Sequence, residues 1–353
     1  MNYSKPRLAR VLGAATALAA TAGLLTACGT SDDEASAASG DGAFPVTIEH
    51  ALGAATIPER PERVVTIGWM TQDIVAALGV VPVGVPETWG GDDEGFTPWF
   101  REHVTEELDA PLPEILSFDD AGDPDLEQVL ALEPDVILAP HSGITDVQYD
   151  RLSEIAPTVA YAEEPWFSGS WDDLVLEVGT ALGRDAEAEA LVSATSALID
   201  DAAADAGLEG TTVAYGGIVA DGDTELGIYR SEDPRVAFLR EFGLVDTPSL
   251  EILGEGFSNF VGALSIEELD TFETDLFVGW SNGPAETQAT LANPVVSRWA
   301  PFAEGTYYFI EDNALAMATN APTPLSIPWA LERGFVDDLV AAAAGEGVVR
   351  AAD

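Results

Sequence analysis

The sequence predicts an α/β protein of two lobes, each with a mostly parallel central sheet flanked by helices, joined by one long rigid helix. Three observations carry this reading. From residue 185 to about 206 no Pro or Gly interrupts the chain, and at 1.5 Å per residue a helix there is roughly 30 Å long, the width of a small domain. On each side of that stretch, short β-branched runs alternate with helical periodicity, the pattern of strands linked by helices. A chain of 353 residues with 47% apolar side chains is also long enough to fill two cores. Periodicity alone fits an ordinary surface helix of a single large domain equally well.

At the amino terminus, Lys5, Arg7 and Arg10 precede a short apolar run at residues 11–25, the layout of a secretory signal peptide. The run is too short, and too soon followed by polar residues, for a transmembrane helix. It ends Leu25-Thr26-Ala27-Cys28, which resembles the bacterial lipobox. That resemblance implies cleavage after residue 27 and lipidation of the Cys28 thiol. The chain would then be anchored on the extracytoplasmic face of the cell membrane without crossing it. Cys28 is the only cysteine, so no intrachain disulfide can form. Residues 1–27 are thus read as a lipoprotein signal peptide, and residues 28–42, rich in Ser, Ala, Asp and Gly, as a flexible tether. The formal charge of −48 argues against a nucleic-acid partner, which requires Lys and Arg to meet phosphates. Such acidity speaks to solubility and surroundings rather than to activity.

The first lobe is expected at residues 43–166. An edge strand at 46–50 leads to a buried strand at 64–67, a helix at 71–78 stopped by Gly79, and a strand at 80–85. A helix at 125–132, closed by Glu133-Pro134, precedes a strand at 135–139; a helix at 147–155 precedes a strand at 158–161. In open α/β sheets ligands bind beyond the carboxyl ends of the strands. Here that edge carries Trp69, Glu87-Thr88-Trp89, His141-Ser142 and the group around Trp166. Residues 167–208 form the helical segment. Trp171, Leu174, Val175, Val178 and Leu182 share one helical face. Gly183 is placed as a left-handed stop, and Asp185 can cap the long helix, with Glu187 and Glu189 near its positive end.

The second lobe is expected at residues 209–353, with strands at 211–215, up to 230, at 275–280 and at 306–310. Helices are read at 234–242, stopped by Gly243, and at 265–271, and a loop after Thr319 leads to one closing helix. Tyr215, Tyr229, Arg230, Trp280 and Asn320 read as strand-end residues. Aromatic rings with one or two arginines suit a bulky, oxygen-rich, partly apolar ligand. Arg230 is the arginine whose place invites that role; Arg235 and Arg240, on a helix, read as solvated cations. Trp299 and Trp329 read as core. His141 could touch ligand or hold a loop. The three histidines are too scattered to make a metal site. No GxSxG, Walker loop or HExxH is present, and the acidic pairs are what this composition supplies by chance.

The stretch PERVVTIGW with the later ALGVVPVGV is similar to the opening of the siderophore-binding proteins of iron-uptake ABC transporters. DPDLEQVLALEPDVILAP and RLSEIAPTVAY follow the same family in the same order. These proteins form the helical-backbone class of substrate-binding proteins, which also holds haem and cobalamin binders. The resemblance implies a monomer that delivers a ferric siderophore to a permease and is not an enzyme. It implies no permanently bound cofactor, iron entering only within the ligand. The same fold serving haem or a corrinoid is the alternative, with direct metal-ion binding behind it. The ligand side would carry Trp69, Trp89, His141, Tyr229, Arg230, Phe260, Trp280 and Asn320. Permease docking in this class uses one acidic residue per lobe, and the matching positions are Glu127 and Glu267.

Overall fold

The computed structural model describes residues 44–166, 169–220, 222–253, 257–258 and 260–352; the leader, Cys28 and the whole of the tether region lie outside them. The described chain begins with β1 (Val46–His50) and β2 (Gly53–Ile57), an antiparallel hairpin with Val46 opposite Ile57. The expected edge strand is therefore one arm of a separate two-stranded sheet. Its partner, GAATI, is hard to see in the sequence because small residues replace the branched ones that favour strands.

Short aliphatic runs then build the first sheet. It comprises β3 (Val64–Thr66), β4 (Gly84–Pro86), β5 (Glu114–Leu116), β6 (Val136–Leu138) and β7 (Thr158–Val159). They lie in the order β5-β4-β3-β6-β7, every neighbour parallel. Both faces are covered, so successive residues feed different cores: Val64, Val136 and Leu138 point to one cluster, Val65 and Ile137 to another. Between the strands lie α1 (Thr71–Ala77), α2 (Pro98–Glu102), α3 (Leu126–Ala131) and α4 (Asp146–Ser153). Asp125 caps α3 by accepting from the Glu127 and Gln128 amides.

α5 (Trp171–Leu182) buries Trp171, Leu174, Val175, Val178 and Leu182, the face its spacing predicts. Gly183 ends it in the left-handed region, φ 61° and ψ 42°. α6 (Asp185–Ala203) then runs 19 residues unbroken, about 28 Å. Asp185 does not cap it. The cap position is Arg184, which makes no side-chain capping bond, and Asp185 lies in the first turn, accepting from the Thr180 hydroxyl at 2.8 Å.

The second sheet has eight strands. β8 (Thr212–Gly216), β13 (Leu276–Trp280), β14 (Tyr307–Ile310) and β15 (Val348–Arg350) form a parallel block, with β10 (Val245–Asp246) also parallel to β8. β9 (Glu225–Tyr229), β12 (Val261–Ser265) and β11 (Phe257–Ser258) add an antiparallel block joined to β8 at Gly216 and Ile228. Alternation recurs: Tyr308 and Ile310 face the core that also contains Val64 of the first sheet, whereas Phe309 faces the opposite one. The helices are α7 (Pro234–Arg240), α8 (Pro284–Ala292), α9 (Ala300–Glu304), α10 (Asn313–Asn320), α11 (Ser326–Glu332) and α12 (Phe335–Ala343). Asn320 thus ends a helix, α10, rather than a strand, and the segment after it holds two helices, α11 and α12, where one was expected.

The lobes meet at a buried seam. Asp73 of α1 accepts from Trp99 Nε1 at 2.6 Å and from Thr323 Oγ1 at 2.9 Å. The Trp99 and Trp329 rings touch edge to face, centroids 5.0 Å apart. Burial pushes the Asp73 carboxyl up to about 7, the two donors opposing that rise.

Candidate ligand-binding site

The strand-end geometry explains how the cleft is furnished. Trp69 follows β3, and its amide donates to the His141 carbonyl at 3.0 Å, tying that end to the end of β6. Gly68 permits this approach: with φ +94°, a side chain there would place its Cβ 2.2 Å from the same carbonyl. Trp166 donates its amide to Ser142 at 3.0 Å and sits over Gly143, where an added Cβ would lie 2.4 Å from the indole nitrogen. The Trp69 and Trp166 rings are 5.7 Å apart, and His141 meets Trp166 edge-on at 5.8 Å.

The opposite wall comes from the turn between β9 and α7. Asp233 caps α7 by accepting from the Arg235 amide at 3.0 Å, and Pro234 occupies the first turn, where its missing donor is harmless. This cap swings Arg235 back over the strand end. Its guanidinium lies 4.4 Å from the Tyr229 ring centre and 5.6 Å from that of Phe260, and it donates to Asp233 Oδ2 at 2.8 Å. Tyr229 and Phe260 stack at 5.9 Å.

Trp69, His141 and Trp166 from one lobe and Asp233, Pro234, Arg235, Phe260 and Asn320 from the other enclose a cavity of about 260 Å³. A second cavity of about 360 Å³ shares Trp69 and Trp166 and reaches Glu87 and Phe118. Two buried atoms at the first cavity have no hydrogen-bond partner, Arg235 Nε and His141 Nδ1. Burial, aided by the Arg235 charge, holds the His141 imidazole down at about 4, so it is neutral at pH 7. Burial pushes the Asp233 carboxyl up, and the Arg235 guanidinium opposes that rise.

Four of the eight sequence candidates, Trp69, His141, Phe260 and Asn320, line the cavity. Asn320 Oδ1 accepts from the Tyr215 hydroxyl. Tyr229 supports the wall from beneath Phe260 and Arg235. Trp89 and Trp280 touch each other across the lobes at 5.1 Å, and Trp280 Nε1 donates to the Tyr229 hydroxyl at 3.4 Å. Neither lines this cavity. Arg230 does not line it either: Glu232 holds it at 3.1 Å and Glu164 at 3.8 Å. Arg235, expected as a solvated cation, is the arginine of the cavity, with a side chain only 12% exposed. Asp-Pro just before it was the available signal, since an N-cap followed by Pro puts the next residue at the sheet edge. Trp299 and Trp329 are buried as expected, Trp299 in the core beneath the second sheet. Glu127 and Glu267 are exposed in first helical turns, outside the cavity. Among the described residues no group of three or more His, Cys, Asp or Glu could hold a metal ion, and no helix is long and apolar enough to cross a membrane.

Residues 64–239 match the family model for periplasmic binding proteins. The crystal structure of PiaA from Streptococcus pneumoniae TIGR4 in complex with ferrichrome is similar over 85% of this chain and 99% of that one. The two share 33% identity, with a TM-score of 0.77. The ferric-anguibactin-binding protein FatB of Vibrio anguillarum is 31% identical over 33% of this chain and 32% of its own length. The Fe(3+) dicitrate-binding periplasmic protein FecB of Escherichia coli K12 is 31% identical over 33% of this chain and 35% of its own. The chain spans 43% or less of the length of the curated relatives it matches. With a solved relative of this identity covered almost end to end, the chain belongs to the periplasmic binding protein family.

Proposed function

We propose that this chain is a substrate-binding protein that captures a ferric siderophore between its lobes and delivers it to an ABC importer. The observation that carries the reading is the cavity itself. Rings from both lobes surround two buried nitrogen atoms without partners, an arrangement that a bulky, oxygen-rich chelate would complete. Relatives that are named for, or solved with, ferric chelates support it. In this reading the chelator supplies the ligands of the iron, the protein binds the chelate's outer surface, and the ligand leaves unchanged.

The remaining parts follow the same reading. Residues 1–27 direct export, Cys28 carries the lipid, residues 28–42 are the tether, and the lobes at 43–166 and 209–353 work as a monomer about the segment 167–208. Two Bacillus subtilis relatives are named lipoproteins, which supports the anchor. Glu127 and Glu267, one on each lobe, dock on the permease, where two separated carboxylates fix position and orientation. Titration with ferrichrome, read by tryptophan fluorescence, should quench with submicromolar affinity. Absence of saturable quenching by any of a hydroxamate, catecholate and carboxylate ferric complex would sink the binding reading. Replacing Glu127 and Glu267 together by Ala should leave that affinity intact while iron uptake into cells falls; normal uptake would remove the docking assignment alone.

A further inference from the structure

We infer that Asp233 sets the charge of the ligand, so that the cleft accepts ferric chelates without net charge and excludes anionic ones. This rests on the siderophore-binding reading and names the substrate class for that site. The cavity carries two formal charges, Arg235 and Asp233, and they belong to one ion pair at 2.8 Å. The third titratable group, His141, is held neutral by burial. The net charge of the lining is therefore zero, although an arginine is present.

Asp233 cannot step aside for an anion. Its carboxylate is 2% exposed, and Oδ1 is already committed to the Arg235 amide at 3.0 Å as the cap of α7. One carboxylate thus starts the helix and neutralises the guanidinium. What remains to the ligand is the neutral His141 Nδ1 and Arg235 Nε, the latter a directional donor suited to a carbonyl or hydroxamate oxygen. The nearby cation Arg230 is likewise met by Glu232 and Glu164. The charged side chain of the adjoining cavity is Glu87, which adds repulsion. An anionic chelate would lose its hydration here and find no uncompensated cation, a cost of the kind that makes unpaired buried charge unfavourable.

The test compares ferrichrome, an uncharged ferric trihydroxamate, with ferric dicitrate, an anion, by calorimetric titration of the mature chain. The natural protein should prefer ferrichrome by roughly a hundredfold or more. Asp233→Asn preserves the cap, because Asn caps as well as Asp, and frees the guanidinium charge. The affinity ratio should then move toward the anion by roughly tenfold to a hundredfold. The double variant Asp233→Asn with Arg235→Gln is again neutral and should return the ratio toward its natural value. Equal affinity of the natural chain for both complexes, or an unchanged ratio in Asp233→Asn, would overturn the inference while leaving siderophore binding in place. Should Asp233→Asn fail to fold, the natural ratio still decides. Binding of no ferric complex at all would instead remove the functional reading beneath it.

Discussion

At the seam between the lobes, Asp73 Oδ1, Gln72 Oε1 and Thr97 Oγ1 are buried without hydrogen-bond partners, as Arg235 Nε and His141 Nδ1 are in the cleft. Both sets are buried polar atoms without partners, oxygens in the first case and nitrogens in the second, and their surroundings differ. The cleft atoms border a cavity of about 260 Å³ between half-buried rings. Asp73 is enclosed, its other oxygen shared by Trp99 and Thr323. An unmet donor beside open space can be completed by a ligand, whereas an unmet carboxylate sealed inside the fold raises its own pKa instead. Orphaned polarity therefore marks a binding site only where there is room for something to bind.

The seam should show the largest effect. The Asp73 carboxyl sits near 7 in the folded chain against 3.8 for an ordinary aspartate. Between those values the folded state holds a proton that the unfolded state has released. Stability from this group is thus greatest below the lower value and is lost as pH rises toward the upper one. Asp73→Asn keeps an acceptor for Trp99 and Thr323 and removes the titration. Urea unfolding at pH 8 should find the variant more stable by about 2–4 kcal/mol, an advantage that fades near pH 4. Its siderophore affinity should not change. The same pH dependence in both proteins would place the cost of burial elsewhere.

In the cleft the expected effects are smaller, and they fall on binding rather than on stability. Arg235→Ala should weaken ferrichrome binding by about 2–3 kcal/mol, measured by fluorescence titration with circular dichroism as the folding control. Trp166→Ala should cost about 1–2 kcal/mol, as loss of one aromatic wall. Unchanged affinity in both variants would move the ligand to another surface. Arg230→Ala is the sharpest discriminator although its effect is smallest, under about 0.5 kcal/mol, because its ion pairs are solvent-exposed. A loss as large as that of Arg235→Ala would return the ligand role to Arg230.

Much of the fold was legible because it depends on local rules. The apolar face of α5, the Gly183 stop and the uninterrupted α6 follow from spacing and backbone freedom, and all three are present. The alternation of short branched runs with helices located β3, β4, β6 and β7 of the first sheet, but β5 (Glu114–Leu116), a three-residue run between prolines and acidic residues, was not read as a strand. Elements built from small residues were harder to see. β2 is GAATI and α10 is NALAMATN, neither with a strong period, and tertiary packing decides their state. The site was half legible for a related reason. Trp69, His141, Phe260 and Asn320 come together at the cavity, but which arginine joins them depends on the turn at Asp233-Pro234. Arg230 sits at the strand end yet is claimed by Glu232 and Glu164, the second of them distant in sequence.

The tryptophans have a consequence of their own. Trp89 and Trp280 lie 5.1 Å apart, Trp99 and Trp329 5.0 Å, and in each pair the rings come from different lobes. Indole transitions at such separations couple, and the resulting near-ultraviolet dichroic couplet decays steeply as the rings part. The protein therefore carries two built-in optical rulers, one beside the ligand cavity and one at the seam. Spectra recorded during a ligand titration would show which side of the molecule opens first, with no dye attached.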